Sequence, residues 1–142
     1  MNVLHKRGVA LLCAPALAFG LSACAATVST SGLKGEAKAA AETVKDLQSN
    51  VTAGDNKKIC EDDLSATVVK RLASSGGCQE AIKKQLAEID SVEVTVESVQ
   101  VSGATATARV KSIYSGKKAI STMSLVNEGS ASRSKWRISA FS

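Results

Sequence analysis

The sequence predicts an α+β domain, with three N-terminal helices packed on a curved four-strand antiparallel sheet. Two observations lead there. From Ala37 to Ile89, apolar residues recur at three- and four-residue steps. From Val92 onward they recur at two-residue steps. One-sided burial requires those two periods of a helix and a strand respectively. The helical stretch ends before the strand stretch begins, which favours segregated layers over an alternating α/β order.

The chain opens with Met1 to Arg7, which carries His5, Lys6 and Arg7 and no acid, followed by an apolar run from Val9 to Phe19. A basic end, a short apolar core and a small-residue cleavage zone are the marks of an export signal. A membrane span needs about 20 apolar residues, roughly twice this run, and Pro15 at its centre weakens a permanent helix. Residues 1–23 are therefore expected to be a signal peptide. Leu21-Ser22-Ala23-Cys24 resembles the lipobox of bacterial lipoproteins. That resemblance implies a diacylglyceryl group on the Cys24 sulfur, with further acylation such as palmitate, and a mature chain beginning at Cys24. Each buried methylene contributes about 0.8 kcal/mol, so two or three chains give durable anchoring on the extracytoplasmic face of the cell membrane. Cleavage at the alternative pattern Ala23-Cys24-Ala25 would instead release a plain secreted protein. Residues 24–35 lack an apolar period and read as the lipidated end plus a flexible tether, reaching at most about 40 Å. One domain, 36–142, comes after it.

Within it, Ala37, Ala40, Val44, Leu47 and Val51 mark the first helix, with Gly54 placed to end it and Asp55 to cap the next. Leu64, Val68 and Leu72 form a second stripe, opened by Asp62-Asp63 at the positive end of the helix dipole. Ser74-Ser75-Gly76-Gly77 breaks it. Ile82, Leu86 and Ile89 mark a third helix starting near Cys78. In the strand half, Val92, Val94 and Val96 share one parity while Val99 and Val101 take the other. A β-bulge near Glu97-Ser98 is needed to bury both sets on one face. Ser102-Gly103 turns the chain, and Ala104, Ala106, Ala108 and Val110 alternate with polar residues. Ser115-Gly116 makes the next turn, residues 118–127 form the third strand, and Asn127-Glu128-Gly129 opens a polar loop. The last strand begins at Lys135-Trp136-Arg137-Ile138.

Charge and cysteine usage narrow the function classes. Lys6 and Arg7 leave with the signal, so the formal charge drops from +5 to +3. The pairs Lys57-Lys58, Lys70-Arg71, Lys83-Lys84 and Lys117-Lys118 are scattered and read as solvated faces. Aromatic platforms and a basic stripe are missing, so no nucleic-acid partner is expected. Cys13 is discarded and Cys24 carries lipid, which leaves Cys60 and Cys78 for an oxidising compartment where disulfides persist. Metal binding is the competing use, but the mature chain contains no histidine. A Cys60–Cys78 disulfide is expected, and no metal or cofactor.

Three stretches resemble the nuclear transport factor two-like superfamily, which includes the SnoaL-like and scytalone dehydratase-like proteins. They are Ala53-Gly54-Asp55 after the first helix, Val99 to Ala106 across a hairpin, and Trp136-Arg137-Ile138 in the closing strand. The resemblance implies a cone, with helices in the hollow of a strongly bent sheet, over residues 36 to 142. Enzymes of that superfamily place Asp, His or Tyr inside the cone. Here Asp90, Glu93 and Glu97 are the candidate carboxylates, and Glu93 has the water-facing parity, where a carboxylate keeps an ordinary pKa. No nucleophile triad or phosphate loop is visible. The sequence therefore points to no catalytic residues and to a non-enzymatic binding or scaffold module of the cell envelope. Its partner is an envelope protein, or a lipid or other apolar ligand carried in the cone. A SnoaL-like enzyme is the remaining alternative. Tyr114 and Trp136, at strand ends, are the candidate pocket or rim residues. Cys24→Ala is expected to block maturation or release the protein from membranes, as fractionation and intact-mass measurement will show; a mature form beginning at Ala26 without lipid contradicts the anchor.

Overall fold

Helix α1 (Gly35–Ala53) sets the scaffold by approaching the sheet closely. Its inner residues Ala40, Ala41 and Val44 are all 0% exposed, and two alanines at the contact let the backbones come near. The computed structural model describes residues 32–89, 91–130 and 132–142. The expected signal peptide, Cys24, most of the tether and Asp90 lie outside the described residues. Gly54 ends α1 in the left-handed region, φ +67°, with its N–H on the carbonyls of Asn50 and Val51. Asp55 then caps a short helix, α2 (Asn56–Lys58), its carboxylate accepting from the Lys58 amide at 3.1 Å.

From here the path departs from expectation. Helix α2 widens into a π-helical turn, π1 (Ile59–Asp63), which the spacing of apolar residues did not reveal. Asp62 and Asp63 close this turn and do not open the next helix. Leu64 is extended and bridges Ile138 in parallel, and the Ser65 amide donates to the Ile138 carbonyl at 2.9 Å. Helix α3 (Ala66–Ala73) therefore starts later. Ser65 Oγ accepts from the Val68 amide at 3.4 Å, and the Glu128 carboxylate accepts from the Ala66 amide at 2.9 Å. Extended pairing at Leu64-Ser65 excludes helix there, and a serine cap with a carboxylate from a distant loop replaces the local acids. Helix α4 (Cys78–Leu86) comes after Gly76-Gly77 and ends before Ile89.

The strands are β1 (Val92–Ser102), β2 (Thr105–Tyr114), β3 (Lys117–Asn127) and β4 (Trp136–Phe141), antiparallel in the order β1-β2-β3-β4. Val96 lies opposite Val110 and Ser98 opposite Arg109, so Glu97 is the extra residue of a bulge. The bulge puts Val99 on the inner face with Val92, Val94 and Val96, as the change of parity demands. A second bulge sits in β4. Leu125 faces Ile138 and Ser124 faces Ala140, leaving Ser139 as the extra residue. Phe141 thereby rejoins the face of Ile138. The α+β class and the four-strand antiparallel sheet stand as read from the sequence; the helical half contains α2 and π1 in addition to the three helices expected.

Cys60 in π1 is bonded to Cys78 at the start of α4 across 18 residues, with Cα atoms 6.1 Å apart. The bond ties the last helix to the turn beneath it. Closing a loop of this size stabilises by about 3 kcal/mol through the unfolded chain. Cys60→Ala is expected to cost about 2–4 kcal/mol in denaturant unfolding, and reduction of the unaltered protein should lower its melting temperature; equal melting points before and after reduction contradict this.

Candidate functional site

Between the inner face of the sheet and the helices lies a groove of about 430 Å³, within the range of small-molecule sites. Leu47 and Val51 of α1, Val68 and Leu72 of α3, and Ile82 and Leu86 of α4 form the helical wall. Val92, Val94, Met123 and Phe141 form most of the sheet wall. The groove exists because the two layers part here. α1 lies tight against the sheet, yet no residue of α3 is buried although Val68 and Leu72 share its inner stripe. On the sheet side, small residues, Ser112 and Ser121, also line the space and leave it unfilled. An apolar helix face that contacts a void has apolar surface to offer a ligand.

Polar groups on the lining are Gln48, Arg71, Gln85, Ser112, Tyr114 and Ser121. Arg71 is the charged residue among them. Tyr114, 44% exposed, and Phe141, 55% exposed, line the groove where it meets solvent.

The structure separates the two rim candidates. Tyr114 lines the groove. Trp136 does not; it is 3% exposed in the core, its indole N–H donating to Glu36 Oε2 at 2.7 Å. The Ser134 hydroxyl donates to the other Glu36 oxygen. These two hydrogen bonds, Ser134's first, hold the Glu36 carboxyl below its ordinary range. Trp136 is thus an anchor between the start of α1 and β4. Glu93 is exposed on the outer face of β1, and Glu97 is engaged by Arg109 Nε at 3.0 Å. Neither reaches the groove.

A second, polar cleft of about 300 Å³ lies on the far side of α1 and π1. Thr43, Asp46, Ser49, Asn50, Lys58, Asp62 and Asp63 line it. Asp63, 1% exposed, was not singled out by the sequence because it read as one of two helix-opening acids. Its Oδ2 accepts from Asn50 Nδ2 at 2.8 Å. Burial pushes its pKa up to about 6; the Asn50 hydrogen bond and Arg137 work against that, while Asp46 and Asp62 add to it. Arg137 is itself buried, with Nη2 3.8 Å from Asp62 Oδ1 and Nη1 unpartnered among the described residues. No group of three or more His, Cys, Asp or Glu side chains arranged to hold a metal occurs among the described residues. Nor is any described helix long and apolar enough to cross a membrane.

Neither the family models nor the curated proteins searched contain a match to this chain.

The Asp63 environment sets a pH dependence of stability. The folded protein holds this proton up to about pH 6, whereas the unfolded chain releases it near the ordinary 3.8. The folded state therefore binds more protons in that window, and stability falls as pH rises through it. Asp63→Asn is expected to raise unfolding free energy by about 1–2 kcal/mol at about pH 7.5 and to leave it unchanged below about pH 4. Urea titrations at both pH values check this; an equal effect at both contradicts it.

Proposed function

We propose that this chain is a membrane-anchored extracytoplasmic lipoprotein, and that its domain is a non-enzymatic binding module that holds an apolar or amphipathic small molecule in the groove. The supporting observation is the groove itself: about 430 Å³, walled by Leu, Ile, Val and Met side chains from α1, α3, α4 and the sheet. Its polar groups are few and uncoordinated with one another. That composition suits desolvation of a hydrocarbon chain, with one or two orienting contacts, better than bond-making chemistry, which needs a nucleophile and a base within reach of each other.

The anchor rests on the basic end, apolar run and Leu21-Ser22-Ala23-Cys24 pattern. A lipid on Cys24 keeps the groove within a tether's length of the bilayer, where apolar ligands are concentrated. The resemblance to the nuclear transport factor two-like superfamily supports the same reading, since a cone of that kind encloses its cavity between helices and sheet. In this reading the bulges at Glu97 and Ser139 bend the sheet around the helices.

Native mass spectrometry of the protein extracted gently from membranes is the direct test. It is expected to report acyl mass on Cys24, a Cys60–Cys78 mass lower by two hydrogens, and a retained apolar ligand. In a second test, Val68→Phe projects an aromatic ring into the groove from α3. Affinity for the fluorescent apolar probe N-phenylnaphthylamine should fall about tenfold, as expected when apolar contact area is occupied, with the melting temperature unchanged or higher. Unchanged probe affinity contradicts the groove as the site.

A further inference from the structure

From Ser98 to Asn127 the sequence contains four basic residues, Arg109, Lys111, Lys117 and Lys118, and no acid. This segment is the β2–β3 hairpin with the end of β1. Its tip is closed by Ser115 and Gly116, with φ +46° and +77°, a two-residue turn of the kind that keeps both strands paired to the end. Strand β4 pairs with β3 only from Met123 to Asn127, and Ser142 bonds Thr122. Lys117 to Ser121 therefore have no strand on their outer edge among the described residues, and the tip projects past β4.

The tip combines exposed apolar side chains with unpaired cations. Ile120 is 58% exposed and Tyr114 44%. Ile120 lies opposite Lys111 in the sheet, and Ile113 opposite Lys118. Arg109 is paired with Glu97, whereas Lys111, Lys117 and Lys118 make no ion pair among the described residues. Glu93, opposite Ile113 on the neighbouring strand, is the carboxylate beside this patch. Lysine on an edge strand also serves to block pairing with other sheets. An exposed isoleucine between those lysines does the opposite, since it adds apolar surface to the edge that the lysines protect.

We propose that the outer face of the β2–β3 hairpin tip docks on an anionic lipid surface, with Lys111 and Lys118 facing headgroups, Lys117 flanking them beside the turn, and Ile120 entering the interface. Cations near an anionic membrane are attracted within a Debye length, and an apolar side chain amid them converts attraction into partition. Tyr114 stands opposite Lys117 on the inner, groove-facing side of the hairpin, so docking through the outer face leaves the groove free, and the proposal does not rest on the groove reading.

The test uses the mature chain from residue 24 carrying Cys24→Ser, so that no lipid anchor contributes; the described core and the disulfide lie wholly within residues 32–142. Co-sedimentation is measured with phosphatidylcholine vesicles with and without phosphatidylglycerol. Binding is expected to be at least about tenfold stronger with the anionic lipid and to be lost at high salt. Lys117→Glu/Lys118→Glu should weaken it about tenfold or more, and Ile120→Ser several-fold, at unchanged melting temperature. Lys83→Glu/Lys84→Glu, an equal charge change on α4, should leave it within about twofold. No preference for anionic vesicles overturns the proposal, as does an equal loss from the α4 pair. Val68→Phe should keep vesicle binding while losing the apolar probe, so failure of the groove and failure of the docking surface are read separately.

Discussion

The contact of α1 with the sheet through Ala40, Ala41 and Val44 governs the rest of the molecule. All three are sealed from solvent, and their small volume sets a short distance between the layers at that point. The helix is pinned in place at its first turn. Glu36 accepts the Trp136 indole N–H, and about two turns later the Thr43 hydroxyl donates to the Trp136 carbonyl at 3.2 Å. A tryptophan that is buried needs such a partner for its N–H. The first residue of β4 and the start of α1 are thus positioned by one side chain. Further along α1 the inward residues become Leu47 and Val51, which line the groove. The pair of alanines, Ala40 and Ala41, lies only at the end where the layers meet closely.

The opposite wall is held by different means. α3 buries none of its residues fully, and α4 packs on α2, α3 and π1. Val68, Val69 and Leu72 of α3 are only half-buried against the core, so the wall depends also on covalent and hydrogen-bonded ties. The Cys60–Cys78 bond fixes the start of α4 to π1, Leu64-Ser65 pairs with Ile138, and Glu128 caps α3 from the β3–β4 loop. That loop is itself tight. Asn127 Oδ1 accepts from the amides of Gly129 and Lys135, and a Cβ on Gly129 would stand 2.0 Å from the Arg133 carbonyl oxygen. A wall with such supports leaves its apolar face free without collapsing onto the sheet.

Features with local causes were legible in the sequence. The helix period, the Gly54 stop, the Asp55 cap and both two-residue turns each depend on a few neighbouring residues. The bulge at Glu97 was legible because a change of parity within one apolar strand has few other solutions. The bulge at Ser139 had a fainter signal, since β4 is short and the single residue Phe141 changes parity after Trp136 and Ile138. The late start of α3 and the Trp136–Glu36 bond depend on partners about 60 to 100 residues away, and the π1 turn on Asn50 together with Ile138, which no local pattern encodes. The groove was partly legible. Its apolar residues lie on the stripes that the sequence marks, but that Ser112 and Ser121 face the void emerged only from the register of β2 and β3.

In five residues π1 joins three otherwise separate features. Ile59 lines the groove, Cys60 carries the disulfide, and Asp63 sits buried at the polar cleft. A π turn spaces side chains differently from an α turn, and here it lets consecutive residues serve opposite sides of the chain. Burying Asp63 beside Asp46 and Asp62 opposes folding once it is charged, and the Arg137 guanidinium, whose Nη1 has no partner among the described residues, lies near it. Buried polar groups of this kind are weak contributors to stability. They do fix where π1 lies, because Asp63 must meet Asn50 of α1 while Leu64 meets Ile138. The position of Ile59 and Cys60, and with them the groove floor and the attachment of α4, is set by that polar contact on the far side of the turn.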